Sequence, residues 1–498
     1  MDAPRVIVET HLHGGLPGTT LVGVPETAVR EARDRVKSAL INCGYDYPDG
    51  RVVVNLAPAD LAKEGGRFDL AIAVSILKAS GQLREAPRRD AGSAGAGSDY
   101  EFLGELSLTG ELRRVRGSLC AALHVKPPGK LIVPIDNAPE SRLAPDRVLP
   151  LAHLKDVIRL VSGASSPAEL VDPRPAPVEP PEPAPCQPVL GQAVAKRALA
   201  IAAAGRHHLL MVGPPGTGKS LLAARMPTLL PPLTEDQAME VAAVYSAAGL
   251  DPDHSGNRPF RSPHHSISTT AMTGGGPHPR PGEISLAHHG VLFLDELPHF
   301  KPSVLDCLRE PLESRQISIA RVSGRARFPA AFQLLAAMNP CPAGLVCTDA
   351  HCRCRPDEVR RYQSRVSGPL LDRIDLHVPV LEVPKALLLG EHRDPSDEPT
   401  LDDVLAAVAR QVKRQGKPNA GLTGRELDTH AALDGSGKRI LGQAADRYRL
   451  SARGFHRVLR VARSIADLDG EPRVSPTQLT EALSYRAMDW SGSGASSY

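Results

Sequence analysis

Apolar and polar positions follow two rhythms along this chain, and the rhythm changes with position. Near the start, Val6-Ile7-Val8-Glu9-Thr10 and Arg51-Val52-Val53-Val54-Asn55-Leu56 are short and β-branched, which predicts strands. Between them Ala28, Val29, Ala32, Val36, Ala39 and Leu40 recur at helical spacing, so 26–41 is read as a helix. Leu70 to Leu77 is apolar on every side and reads as a buried helix, and Lys130-Leu131-Ile132-Val133-Pro134 as a late strand. Further on come three largely apolar runs, Leu209–Val212, Val291–Leu294 and Phe332–Met338, the last interrupted only at Gln333. Runs of that length predict strands buried on both faces, as in a parallel sheet between helices. Gln316–Arg321 and Arg325–Phe328 alternate around Ser323-Gly324 and predict a hairpin. From Leu401 the spacing is helical again, in 401–412, 454–466 and 477–483.

These rhythms divide the chain into an α+β or α/β region over 1–170, an α/β core over 189–388 and a helical tail over 389–498. The stretch 171–188 is so rich in proline that it reads as a semi-rigid extended spacer. Two polar stretches, 88–98 and 390–399, read as surface loops.

Composition changes this picture little. Only 3% of the 498 residues are aromatic, so Ala, Val and Leu must do most of the packing. A net charge of +3 is too small to draw in a polyanion, so any nucleic-acid surface has to be local. No apolar run approaches the ~18 residues of a membrane span, and the first residues lack a signal-peptide core. A cytoplasmic protein with reduced thiols and no membrane partner is expected.

The chemistry is densest after the first apolar run. Gly213-Pro214-Pro215-Gly216-Thr217-Gly218-Lys219-Ser220 has the spacing G-x-x-x-x-G-K-S between a predicted strand and a helix opening. Glycines there let backbone N–H groups wrap a phosphate, and the helix start adds partial positive charge. Lys219 would reach the β- and γ-phosphates of ATP, and Ser220 would hold Mg²⁺. The second run ends in Asp295-Glu296. There Asp295 would complete the Mg²⁺ shell and Glu296 would polarise the attacking water. The third run ends in Asn339, placed to orient that water and sense the γ-phosphate.

This order of P-loop, acidic strand and Asn strand resembles the AAA+ ATPases. Phe260-Arg261-Ser262-Pro263-His264-His265-Ser266, Gly282-Glu283-Ile284-Ser285-Leu286-Ala287-His288, Leu308-Arg309-Glu310-Pro311-Leu312-Glu313 and 367–376 narrow the resemblance to the magnesium-chelatase-like AAA+ family called YifB or ComM. Gly15–Gly18, Val22–Glu26, Glu31–Val36 and Asn55–Asp60 are similar to the same family, so the likeness runs nearly the whole chain. Members usually carry an extra strand before Ala3-Pro4, so the chain is expected to be short at its start.

The resemblance implies a P-loop AAA+ core of the helix-2-insert branch, a Lon-protease-like (S5-like) α+β domain before it and a helical lid after it. It implies that Arg373 is an arginine finger reaching a neighbour's γ-phosphate and that Arg453 is the second sensor arginine of the lid. Without the family, Arg373 between Asp372 and Asp375 reads as an ion-paired surface residue. The hairpin falls where relatives line a ring pore, so Arg321, Arg325 and Arg327 are either phosphate contacts or a solvated face. The Lon likeness does not extend to catalysis. Arg67 occupies the nucleophile position, and no lysine lies near Gly117–Cys120 before Lys126.

Cys341, Cys347, Cys352 and Cys354 stand apart from both schemes. Their spacing, C-x5-C-x4-C-x-C, fits either a structural Zn²⁺ site or a loop of reduced thiols. The function implied is an Mg²⁺-dependent ATPase working as a homo-hexameric ring on single-stranded or branched DNA, as in recombination and natural transformation. The other reading is a chelatase-like ATPase that remodels a protein or metal-insertase partner.

Overall fold

The computed structural model describes residues 3–23, 27–59, 61, 63, 65–84, 100–141, 143–170, 189–251, 256–276, 279–321, 324–344, 352, 354–384, 387, 398–448 and 450–486, with backbone alone at 27–30, 141, 320–321 and 324–325. The proline-rich spacer 171–188, the stretch 88–98 and nearly all of 390–399 lie outside them.

In the N-terminal region, strand Arg51–Ala57 is central, antiparallel to Ile7–His13 and parallel to Gly18–Val22. Val52, Val54 and Leu56 alternate onto its inner face and are fully buried against helices Thr27–Asn42 and Asp69–Ala79. Asp69, wholly buried, is held by the Arg35 guanidinium at 2.8 Å. A second parallel sheet pairs Lys130–Pro134 with Tyr100–Phe102 and Val148–Leu151.

The central sheet is all parallel, in the order Phe260–Arg261, Val291–Leu294, Gln333–Met338, Leu209–Val212, Leu376–Pro379. Two of the three apolar runs are adjacent to each other and the third adjoins them, because Gln333–Met338 lies between the P-loop strand and the acidic strand. All six of its residues are buried, polar Gln333 included, which accounts for the apolar run that follows it. Helix Ala193–Gly205 covers one face with an almost wholly apolar surface. The hairpin is present, Gln316–Arg321 paired with Gly324–Pro329, with Ile317 and Phe328 buried opposite one another.

The C-terminal region is helical: Leu401–Gln415, Gly424–His430, Gly435–Arg447, Ala452–Leu468 and Pro476–Ser484. Asp434 and Ser451 cap two of these helices by accepting from Gly437 and Gly454 N–H. Buried Asp467 ties the bundle together, accepting from Arg414 (2.6 and 2.8 Å), Arg463 (2.9 Å) and Asn419 (2.8 Å). With that many charge-assisted partners its burial is fully compensated.

The N-terminal region is docked on the core rather than merely linked to it. Glu140 is buried and accepts from Ser118 and from Ser246 of core helix Glu235–Ala248. The Leu119 N–H and the Asn137 amide also donate to it, at 3.1 and 3.2 Å. Among the described residues, no helix is long and apolar enough to cross a membrane.

Candidate nucleotide-binding site

The loop Gly213–Gly218 leaves strand Leu209–Val212 and enters helix Lys219–Ala224. Gly216 (φ 79°) and Gly218 (φ 88°) take left-handed conformations that a side chain would resist. A Cβ at Gly213 would collide with the Val380 carbonyl of the neighbouring strand end, so only glycine lets the loop start there. Thr217 fastens the loop on itself, its hydroxyl donating to the Pro214 carbonyl at 2.9 Å.

Two sequence-predicted residues, Asp295 and Asn339, converge on this loop and its helix from two further strands. The Lys219 ammonium donates to the Gly213 and Pro214 carbonyls at 2.8 and 2.7 Å and to Asn339 Oδ1 at 3.2 Å. Burial holds its pKa below the usual lysine value, with Asp295 opposing that shift. A lysine satisfied by neutral carbonyls is ready to exchange them for a phosphate. The Ser220 hydroxyl donates to Asp295 Oδ2 at 2.7 Å. That puts two hard oxygens side by side, the donor type and number that Mg²⁺ takes from proteins.

Glu296 sits at φ 52°, ψ 47°, a left-handed position that is uncommon for a non-glycine residue. Its N–H donates to Asp295 Oδ1 at 2.9 Å, which holds that carboxylate in place. His265 approaches it, Nδ1 to Oε2 at 3.5 Å. His265 in turn packs near His299 and Phe300, and His299 meets the edge of Tyr362. Burial pushes the Tyr362 phenol up to about 12, and a hydrogen bond with the Asn339 backbone works against that. A short aromatic chain thus runs from the acidic pair to the Asn339 strand end. Gln192 reaches the loop from the other side, donating to the Thr217 and Leu381 carbonyls at 3.2 and 2.5 Å.

Arg373 and Arg453 are not in this constellation. Both converge on Glu313, with Arg373 Nη2 at 2.7 Å and Arg453 Nη1 at 3.3 Å from the same oxygen. Arg373 also donates to the Pro369 carbonyl at 2.7 Å. Its sequence neighbours are engaged elsewhere, Asp372 with Arg457 and Arg486, Asp375 with Arg457 and His207. The simple ion-pairing expected from the flanking aspartates therefore does not form.

Cys341, Cys352 and Cys354 come together beside the site, with Cys341 Sγ 3.7 Å from each of the other two. Four sulfurs at ~2.3 Å from a tetrahedral Zn²⁺ stand about 3.8 Å apart, so the three thiols fit that geometry. Cys347 lies outside the described residues. Gly344, in the same loop, packs against Pro215 of the P-loop. Of the hairpin arginines, Arg327 is exposed; the side chains of Arg321 and Arg325 lie outside the described residues.

Sequence reasoning met His265 and Glu313 only inside family motifs, without a role, and missed Tyr362 and Gln192. None stands at the end of an apolar run, and each meets the site through topology alone.

A glycine-rich loop on a parallel sheet, with acidic and Asn strand ends beside it, defines a P-loop protein of the AAA+ type. The chain matches the family models for magnesium chelatase, subunit ChlI, over 186–388, for subunit ChlI of Mg-chelatase over 8–137, and for the ChlI C-terminal region over 396–486. It is 46% identical to protein YifB of Salmonella typhimurium, over 98% of this chain and 95% of that one. It is also 46% identical to competence protein ComM of Haemophilus influenzae, over 98% and 96%. A shorter likeness, 24% over 222 residues, covers 40% of this chain and 23% of the DNA replication licensing factor mcm6 of Dictyostelium discoideum. The chain belongs to the YifB/ComM family of magnesium-chelatase-like AAA+ proteins. That family implies the use of ATP and Mg²⁺.

Proposed function

We propose that this protein is an ATP-hydrolysing ring motor that acts on DNA. The observation carrying hydrolysis is the convergence of Lys219, Ser220, Asp295 and Asn339 on one loop, with Glu296 beside them. Lys219 would trade its carbonyl partners for the β- and γ-phosphates of ATP. Ser220 and Asp295 would hold Mg²⁺, which neutralises charge on the phosphates. Glu296 would take the proton of the attacking water, steadied by His265, while Asn339 orients that water.

Assembly follows from the two arginines. Arg373 and Arg453 share Glu313 instead of meeting their own P-loop, so neither is committed to its own nucleotide, and each would have to give up Glu313 to reach a phosphate. In a closed ring of six, Arg373 would reach the next subunit's γ-phosphate, with Arg453 as the second sensor arginine. The helical tail acts as the lid that carries Arg453. A structural Zn²⁺ on Cys341, Cys347, Cys352 and Cys354 would pin the loop that presses on Pro215.

DNA as the partner is supported by the names of two relatives, a competence protein and a DNA replication licensing factor. The N-terminal region, read as a Lon-like fold over 1–170, is not a protease in this scheme. Lys63 is buried and donates to the Pro58 carbonyl, and Ser118 donates to Glu140, so neither makes a nucleophile–base pair. The protein works in the cytoplasm. ATP turnover measured with and without single-stranded and branched DNA tests the reading. Stimulation by a protein partner alone would favour the chelatase-like alternative.

A further inference from the structure

Five non-glycine residues among those described have positive φ: Gln192, Arg206, His289, Glu296 and Arg315. Gln192 and Glu296 belong to the nucleotide site. The other three are basic or imidazole side chains, and they sit together at the opposite, amino-terminal edge of the central sheet. Arg206 precedes the P-loop strand, and His289 precedes the acidic strand. Arg315 opens the hairpin that leads into Gln333–Met338. Backbone strain of this kind persists where surrounding structure holds it, and it concentrates at functional sites. Arg206 and Arg315 end helices at positions where glycine is the favoured residue. The side chains, not the turns, explain their presence.

Hydrogen bonds knit this edge into one surface. Arg315 O accepts from Ala330 N–H at 2.8 Å, and Ala331 O accepts from His289 N–H at 3.0 Å. Arg258 donates to the His289 carbonyl at 2.6 Å and to the Pro231 carbonyl at 2.5 Å. Its partners are neutral oxygens, never a carboxylate. Arg206 and Arg315 make no ion pair among the described residues. Burial and Arg315 push the Arg206 guanidinium down to about 10, and burial and Arg206 do the same to Arg258. Among the described residues, the carboxylate hydrogen-bonded into this group is Glu240, held by His288 and His289 at 3.2 and 2.6 Å.

That trio is not a metal site. His288 Nδ1 accepts from the Ala331 N–H at 3.0 Å, so its proton is on Nε2, the nitrogen facing Glu240. A metal ligand would need that nitrogen bare, and three nearby guanidiniums repel a cation. The excess charge calls for an anion. The hairpin rises from Arg315, and Arg327 on its second strand is exposed, so positive charge continues along it. A track of that shape suits a polymer of phosphates better than one small anion.

We infer that Arg206, Arg258 and Arg315, at the hairpin root, form a second contact with the phosphodiester backbone of DNA, separate from the nucleotide site. This rests on the DNA reading above. The test uses Arg206→Gly, Arg315→Gly and the double variant, since glycine suits both backbone positions. Fluorescence anisotropy follows labelled single-stranded DNA across a salt series, with a non-hydrolysable ATP analogue. Each lost phosphate contact lowers the log–log salt slope by about 0.7. The double variant is expected to lose about 1.4. Basal ATPase stays at the wild-type rate, and Arg206→Lys keeps the slope. A double variant with the wild-type slope and affinity overturns the inference, as does a slope lost equally in Arg206→Lys. Wild-type protein with no DNA affinity defeats the DNA reading itself, which is a different result.

Discussion

At the carboxyl edge of the central sheet, each charged group has a partner in the chain. Lys219 has two carbonyls and Asn339, Asp295 has Ser220, and Glu296 has His265. At the amino edge, Arg206 and Arg315 have none among the described residues, and Arg258 is held by neutral oxygens. The first edge is arranged to exchange its own contacts for those of a ligand. The second holds guanidiniums that have no carboxylate partner among the described residues. Both keep non-glycine residues at positive φ. Strain alone therefore does not separate the two edges, whereas the balance of charge does.

The largest effect is expected from Arg373→Ala. An arginine finger is worth about 10³-fold or more in turnover, and ATP binding should survive its loss. Mixed with Lys219→Ala protein, this variant should regain some activity, because each supplies the half the other lacks. Subunits that exchange freely yet show no rescue would place Arg373 in its own site.

Glu296→Gln comes next. It keeps Ser220 and Asp295 in place, so ATP should still bind while turnover falls by about 10²-fold or more. A rate equal to wild type would move the base elsewhere and leave His265 without a role.

The cysteine cluster adds a smaller, structural effect at the same edge. Protein purified without chelator should carry about one zinc per chain. Cys341→Ser should lose the metal and loosen the loop on Pro215, raising KM for ATP more than it lowers kcat. Fully active metal-free protein would leave three neighbouring thiols and nothing more.

The smallest effect belongs to the amino edge. Gln333 is buried and donates to the Ala202 and His207 carbonyls at 2.9 and 2.7 Å. Gln333→Leu leaves both without that donor, at a cost of about 1–3 kcal/mol. Melting should drop by a few degrees, roughly 2–4 °C per kcal/mol for a unit of this size. ATPase per folded molecule should not change. If it collapses as in the P-loop variants, the two edges are not separable.

The difference between the edges also governs what could be read from the chain. Asp295, Glu296 and Asn339 each follow a run of buried strand residues, so the strand announces the residue at its end. The P-loop announces itself through spacing. Helix Leu401–Gln415 and the hairpin were legible from period alone. His265 lies 31 positions before Glu296, in a polar stretch with no period, and only the strand order brings it near. Arg206, Arg258, His289 and Arg315 span over a hundred positions and meet because four loops enter one sheet edge. Glu313 stood only as the last residue of a family motif, since its meaning lies in the two arginines that find it. The docking of Glu140 on Ser246 was equally hidden, because a proline-rich spacer suggested separation where a buried carboxylate makes contact.

The most direct test of the motor reading is steady-state ATP hydrolysis by the full chain with Mg²⁺, with and without single-stranded and branched DNA. Wild-type protein should turn over ATP several-fold faster with DNA, and the increment should shrink as salt rises. The Arg206→Gly/Arg315→Gly variant should keep the basal rate and lose most of the increment. An assembled ring whose hydrolysis is indifferent to every DNA offered would contradict the account.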